Sequence, residues 1–255
     1  MQAERSVRPD WRDAGAYRPL LDADRSLIAW EWLRRDPQYR SAAELAGSDT
    51  SEGGPVLAER FGLAAFEPPH LAVPDARPVW RASVHPAVLR VSRSPAAAPV
   101  DSVDVARLGH LARLIDDGRH EHLLLSDGLR TIRLDGASGT FTGGPACLAY
   151  GIEGVASAVT PLLTLRRLLA LARRGSFAAA LHRREPRAAR WILMLRVADA
   201  LAEGQSQRLI AASLLRPAAA DGRWRDTDPS LRSQVQRLVR SARHFAAGDY
   251  RRLLQ

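Results

Sequence analysis

The residues best suited to bind a partner lie near the end of the chain, in the stretch that follows Asp228 and Pro229. Apolar residues there recur at the spacing of one helical face, and arginine, glutamine and serine fill the opposite face. Arginine can donate two hydrogen bonds to guanine, glutamine can pair with adenine, and a helix fits the DNA major groove. The pattern predicts a recognition helix whose inward positions are Leu231, Val235, Leu238, Val239, Ala242 and Phe245.

The outward face of this predicted helix, near residues 229–245, offers two kinds of contact. Polar side chains near its N-terminus are the candidates for reading bases: Ser230, Arg232, Ser233, Gln234 and Gln236. The arginines farther along the helix, Arg237, Arg240 and Arg243, are the candidates for contact with phosphate. Arg208 on the preceding helix completes the predicted DNA-binding surface. The alternative interpretation is a solvated basic face without a nucleic-acid ligand.

Neighbouring helices must position that face. A helix over about 186–203 carries an apolar stripe and ends at a glycine. The stretch 206–215 is typical of the first helix of a helix-turn-helix, because a small residue, Ala211, permits close helix crossing. Asp228 is predicted to cap the recognition helix, with Pro229 at its first position. The connector between the last two helices is longer than the usual turn of three or four residues.

Basic charge is concentrated in the same part of the chain. The formal net charge is +9, and all 37 basic residues are arginine. Residues 1–150 contain 18 Arg against 20 Asp and Glu, whereas residues 151–255 contain 19 Arg against 8. This asymmetry predicts a polyanionic partner, and we expect double-stranded DNA at a promoter or operator.

The first 45 residues form a tryptophan-rich segment of near-neutral charge. Trp11, Trp30 and Trp32 lie among apolar residues near helical spacing, which favours a place in the core or in a protein-contacting patch over base stacking. Contact with RNA polymerase, with another regulator or with the protein's own body is favoured over contact with DNA. On this interpretation, a chain without residues 1–45 still binds DNA but no longer activates transcription.

The middle of the chain, residues 46–155, is rich in proline and glycine and contains short strands. Residues 122–126 and 129–134 flank Asp127 and Gly128, which predicts a hairpin with a two-residue turn. Three further strands are predicted, the first two at sheet edges: 79–84, 87–91 and 146–150. The predicted fold is α+β, with a short N-terminal helical unit, a small antiparallel β section and a C-terminal all-α helix-turn-helix domain, divided as 1–45, 46–155 and 156–255.

The other reactive residue types favour no catalytic or metal site. His120 and His122 lie in a short acidic segment, where a polar turn is favoured over a zinc site because no further ligands follow at zinc-like spacing. Cys147 is the single cysteine, which excludes an internal disulfide, and its apolar surroundings favour a buried thiol. Sequence order alone leaves a Ser/His/Asp triad open. We expect no enzyme activity, no metal and no cofactor.

The sequence also bears on location. It contains no uncharged apolar run of transmembrane length, and its N-terminus lacks the apolar core of a signal peptide. Together with the single cysteine, these features predict a cytoplasmic protein without membrane contact. Oligomeric state is not indicated.

Two blocks of residues resemble a known family. Residues 10–13, Tyr17 and residues 30–40 are similar to the opening domain of transcriptional regulators carried by proteobacterial integrative and conjugative elements. A second block resembles the helix-turn-helix domain of the same excision activators and of their single-domain antiactivator relatives: Arg190, Trp191, 195–200, Ile210, Ala211, Leu231, Arg232, Val235 and 250–254.

The resemblance implies a DNA-binding transcriptional activator of excision or transfer genes. It also implies control through protein contacts, with RNA polymerase or an antiactivator as partners. The alternative is an antiactivator or adaptor whose helix-turn-helix fold binds another regulator, and whose arginines serve solubility. Salt dependence separates the two, because a protein that neutralises several phosphates loses affinity steeply as salt rises.

Overall fold

The computed structural model describes residues 8–48, 54–94, 102–216 and 229–255. The fold is α+β, as predicted. The α-helices are α1 (Arg25–Leu33), α2 (Pro37–Ser48), α3 (Gly54–Glu59), α4 (Val159–Arg174), α5 (Ala188–Ala202), α6 (Gln207–Leu214) and α7 (Pro229–Ala246). The strands are β1 (Val88–Arg93), β2 (Ser102–Val103), β3 (Ala112–Asp116), β4 (His120–Ser126), β5 (Thr131–Ala137) and β6 (Ala146–Gly151). Short 3-10 helices lie at Gly15–Leu21, Ala106–Leu108, Ala179–Leu181 and Asp249–Leu254.

None of the described helices combines the length and the apolar character that a membrane-spanning helix needs.

Six strands form one mixed sheet in the order β2-β6-β1-β5-β4-β3. β1 runs parallel to β5, and the other neighbouring pairs are antiparallel. The sheet is larger than the predicted antiparallel unit, and β1 lies inside it and not at an edge, because it pairs with β5 on one side and with β6 on the other. Segment 79–84 is not a strand: Trp80 makes an isolated bridge with Leu63. α4 packs against β1 and β5, and its Leu168 and Leu171 close the core over the sheet.

β4 and β5 form the predicted hairpin, but a four-residue loop, 127–130, replaces the expected two-residue turn. Asp127 shapes this loop, since its Oδ1 accepts a hydrogen bond of 2.8 Å from the backbone N–H of Arg130. Gly128 has a φ of 98°, and a Cβ there would lie 2.5 Å from the carbonyl oxygen of Pro74. The loop therefore requires glycine both for its backbone conformation and for its close contact.

The main hydrophobic core joins the two ends of the chain. Buried side chains of α1, α5, α6 and α7 belong to one cluster, together with Trp11, Tyr17 and Trp80. The Asp249–Leu254 turn packs against both α1 and α7. The boundaries expected at residues 45 and 155 remain predictions, but the first and last segments of the chain share this core.

α1 is the centre of that core. Its residues from Ser26 to Leu33 are all buried, as expected of a helix that is apolar around most of its circumference. Asp24, just before the helix, directs its carboxylate to the hairpin, where Oδ2 accepts hydrogen bonds from the backbone N–H (2.7 Å) and the hydroxyl (3.0 Å) of Thr131. α1 is thus attached to the sheet at one end and surrounded by the C-terminal helices.

Candidate nucleic-acid interface

α7 has an apolar and a polar side, which confirms the helical pattern expected from the sequence. Five of the six predicted inward residues are buried, namely Leu231, Val235, Leu238, Val239 and Ala242. The sixth, Phe245, is partly buried, and its ring centroid lies 5.3 Å from that of Trp32 on α1. Because α1, α5 and α6 all contact α7, the buried stripe fixes which side of the helix faces solvent.

The residues assigned to the DNA-binding surface are all exposed: Arg208, Ser230, Arg232, Ser233, Gln234, Gln236, Arg237, Arg240 and Arg243. Within the described part of the chain, the four arginines of α7 make no ion pair, and α7 itself contains no acidic residue. Unpaired guanidinium groups on one side of a helix leave their charge available to an anion. Asp228, the predicted cap, and the connector that contains Trp224 lie outside the described residues.

The exposed side of α7 has a centre and two flanks, because successive residues turn by about 100° around a helix. Ser233, Gln236 and Arg240 lie near the centre. Arg232 and Arg243 lie together on one flank. The residues assigned to base reading and to phosphate contact are therefore mixed around the helix and do not form separate faces.

The other flank of α7 borders α5 and lines a groove of about 550 Å³. The residues of α7 that line the groove are Ser230, Gln234, Arg237 and Leu238. Those of α5 are Ala189, Arg190 and Leu193. The predicted DNA-binding surface thus continues from α7 onto α5 through an arginine that sequence reasoning did not assign.

α6 forms as the sequence predicted. Ser206 caps it, since its hydroxyl accepts a hydrogen bond of 3.2 Å from the backbone N–H of Leu209. Ile210 and Ala211 are buried, and α6 contacts both α5 and α7. Arg208 is exposed on its outer side. Residues 217–228, which would form the turn to α7, lie outside the described ranges.

A buried carboxylate on α5, Asp199, connects the C-terminal helices to the start of the chain. Arg35 donates two hydrogen bonds to it, from Nε to Oδ1 at 2.8 Å and from Nη2 to Oδ2 at 3.0 Å. The hydroxyl of Tyr17 donates to Oδ2 at 2.8 Å. Burial and the neighbouring charge of Asp199 raise the pKa of Tyr17, so its hydroxyl remains a donor. The bidentate geometry fixes the position of α5 relative to α1.

The same arginine also binds Glu31, one turn earlier on α1. Arg34 and Arg35 both donate to Glu31 Oε2, and the backbone N–H of Val73 donates to Oε1 at 2.8 Å. Burial alone would raise the pKa of Glu31, but the charges of Arg35 and Arg34 hold that pKa below its usual range. Glu31 therefore stays ionised inside the core.

The three tryptophans assigned to protein contact lie inside the chain. Trp11 and Trp30 are fully buried, and Trp32 is 3% exposed. The indole N–H of Trp11 donates to Glu203 Oε2 at 2.9 Å, and that of Trp30 donates to the carbonyl of Leu71 at 3.0 Å. The sequence left three possible contacts for these tryptophans: RNA polymerase, another regulator or the protein's own body. In the structure their side chains contact the protein's own body. They present no surface to RNA polymerase or to another regulator in this fold.

Sequence reasoning missed three residues that the structure brings to the interface or to its support. Arg190 precedes the buried stripe of α5, so helical phase could have placed it at the surface. Arg35 stands four residues after Glu31 in an apolar segment, a spacing that favours an ion pair on a helix. Asp199 gives no local signal, because its partner Arg35 lies 164 residues away in the chain.

The segment around His122 makes polar contacts within the sheet. His122 Nδ1 lies 2.8 Å from Asp135 Oδ1, and Nε2 lies 3.4 Å from Asp117 Oδ2. Burial would raise the pKa of Asp135, but the hydrogen bond from His122 and the charge of Arg133 keep that pKa below its usual range. Across the described ranges, no group of three or more His, Cys, Asp or Glu is placed to hold a metal ion. Cys147, in β6, is half-buried.

Comparison with known protein families matches two parts of the chain. Residues 10–64 match the proteobacterial transcriptional regulator-like domain. Residues 153–255, which include α4 to α7, match the family described as T6SS, transcription factor, DNA binding domain. No curated protein and no solved structure gives a significant match. The two matched domains together indicate that the chain is a DNA-binding transcriptional regulator.

Proposed function

We propose that this regulator activates genes for the excision or transfer of an integrative and conjugative element, with α7 as its recognition helix. The N-terminal part of α7 enters the major groove, where Ser230, Arg232, Ser233, Gln234 and Gln236 meet base edges. Phosphate contacts come from Arg208, Arg237, Arg240 and Arg243. The assignment to excision or transfer genes is supported by the two blocks of sequence resemblance.

The observation that carries this proposal is the polar side of α7. It presents four exposed arginines without ion-pair partners among the described residues, on a helix without a carboxylate, in the part of the chain that matches a DNA-binding domain. Such a side attracts a polyanion and offers the fork geometry that recognises both guanine and phosphate. The matched domains also favour a regulator over an enzyme.

A second candidate function follows from the description of the matching C-terminal domain, which names T6SS. In that case the same helix regulates T6SS genes. A third candidate is the adaptor that binds another regulator through this side. We infer that RNA polymerase or an antiactivator, if either binds, uses a surface other than the buried tryptophans. A cytoplasmic location accompanies each of these functions.

Binding of the purified full chain to pooled double-stranded oligonucleotides tests the proposal. We expect one enriched motif, with affinity that falls steeply as salt rises because phosphate contacts release counterions. The symmetry of the motif reports whether a dimer reads it. The genes downstream of the motif distinguish excision and transfer from T6SS. Absence of any enriched motif, with salt-insensitive capture of another regulator, would favour the adaptor.

A further inference from the structure

We propose that Arg190 of α5 and Arg237 of α7 together clamp one phosphate of the DNA backbone in the groove between these helices. The inference rests on the proposed function, because the phosphate belongs to the DNA that α7 reads. It assigns a DNA contact to α5, and it specifies which flank of α7 lies against the backbone.

The chemistry of the groove suits a single phosphate. Its charged groups are the two guanidinium ions, and its neutral polar groups are the hydroxyl of Ser230 and the amide of Gln234. The N–H groups of the two arginines donate hydrogen bonds that phosphate oxygens accept. Ser230 and Gln234 add no negative charge to the groove and stay available to base edges. The remaining lining residues are apolar, and the volume of about 550 Å³ is ample for a phosphate group.

Three other cavities lined by described residues differ in one respect, because each contains a carboxylate. The cavity over β4 and β5 includes Glu59 and Asp135, and the one at the start of α1 includes Asp24 and Glu185. A cavity near the C-terminal turn includes Asp36. The α5–α7 groove has no acidic lining residue, and its two arginines make no ion pair with a described residue. An entering anion therefore meets positive charge that no carboxylate among the described lining residues neutralises.

The position of the groove also fits backbone contact. Arg237 lies on the flank of α7 that borders α5, beside the central residues Ser233 and Gln236, which are proposed to meet base edges. When the centre of a recognition helix faces base edges, its flanks face the phosphates that border the groove. Backbone contacts position a protein on DNA without reading sequence. Loss of the clamp should therefore weaken binding to every DNA sequence by the same factor.

The salt dependence of DNA binding tests the clamp. Arg190→Gln, Arg237→Gln and the double variant are compared with the wild type on the enriched motif and on a scrambled duplex. Arg173→Gln is the matched control, because it removes the same charge from an exposed position on α4, which packs on the sheet. Each phosphate contact contributes about 0.9 to the slope of log affinity against log salt. We expect both single variants to bind more weakly on both duplexes, and the double variant to lose about one unit of slope in total.

Two results would overturn the clamp while leaving the proposed function intact. The first is Arg190→Gln binding like Arg173→Gln at every salt concentration. The second is a double variant that loses about two units of slope, since that requires two separate phosphates. A wild type that shows no salt-dependent DNA binding overturns both proposals. Arg190→Lys is the control for misfolding, because it keeps the positive charge at this position. We expect it to keep the salt slope of the wild type and to bind DNA more weakly, since lysine lacks the bidentate fork of arginine.

Discussion

Arginines occupy two regions of this molecule in opposite ways. Directly after α1, Arg34 and Arg35 are 2% and 8% exposed and bind carboxylates inside the core. On α7, Arg232 and Arg240 are exposed and make no ion pair with a described residue. Arginine thus holds the two ends of the chain together in the first region, and in the second region it presents charge that is not paired with a described residue.

The difference separates stability from binding. Removing one member of a buried ion pair leaves the other charge without a partner in a medium of low dielectric constant, which is strongly destabilising. Removing an exposed arginine usually changes stability by less than about 0.5 kcal/mol. Variants near α1 should therefore act on folding, and variants on α7 should act on DNA.

The largest expected effect comes from deleting residues 1–45, which removes α1 and most of α2. The sequence alone suggested that DNA binding survives this deletion. Because α1 shares the core with α5, α6 and α7, we now expect the truncated chain to lose both its cooperative thermal unfolding transition and its DNA binding. Circular dichroism measures the unfolding transition, and a gel-shift titration measures DNA binding. A truncated chain that unfolds cooperatively and binds DNA like the wild type would contradict the shared core.

A single substitution tests the buried region next. Arg35→Met leaves Asp199 without its bidentate partner, and we expect the free energy of unfolding to fall by about 3–5 kcal/mol. Urea unfolding followed by tryptophan fluorescence measures the loss. Arg173→Met, at an exposed position of α4, is the control and should change stability by less than about 0.5 kcal/mol. Equal stability of the two variants would show that the buried, ion-paired arginine contributes no more to folding than an exposed one.

On α7, substitutions should act on DNA and spare the fold. Arg232→Ala is expected to cost about 1–3 kcal/mol on the preferred sequence and to relax recognition of one base pair. Arg243→Ala should weaken binding to all sequences alike and reduce the salt slope by about one unit. Gel-shift titrations on matched and mutated duplexes measure both. Wild-type affinity in both variants would show that this side of α7 does not contact DNA.

The smallest expected effect concerns His85, a partly buried histidine near Arg133. Burial, helped by the charge of Arg133, lowers the pKa of His85 to about 4. The unfolded chain binds this proton below about pH 6.5, so the stability contribution is present above that pH and is lost as pH falls toward 4. The urea midpoint should therefore be lower at pH 5 than at pH 7. His85→Gln should reduce the difference, and the exposed His70→Gln should not.

Local pattern accounts for much of what the sequence could predict. The phase of α7 and the cap of α6 follow from residues within one or two turns, so the inward and outward positions were found correctly. Other features depend on contacts between distant segments. The Asp127 loop has four residues instead of two, and its Gly128 lies against Pro74, a contact that the local pattern does not indicate. The buried Trp11 donates its indole N–H to Glu203, which lies 192 residues away in the chain, so no local pattern indicates this contact.

The contact between Phe245 and Trp32 lets the core influence the angle of α7, the proposed recognition helix. Phe245 lies in the last turn of α7, and Ser230 lies at the opposite end, about 22 Å away along the helix axis. A tilt of about 5° at the Phe245 end would displace Ser230 by about 2 Å, enough to break hydrogen bonds whose lengths span about 2.7–3.2 Å. A small repacking around Trp32 would thus be magnified at the end of α7 that is proposed to read bases. On that proposal, the accuracy of site recognition depends in part on how closely Trp32 packs against the far end of the helix.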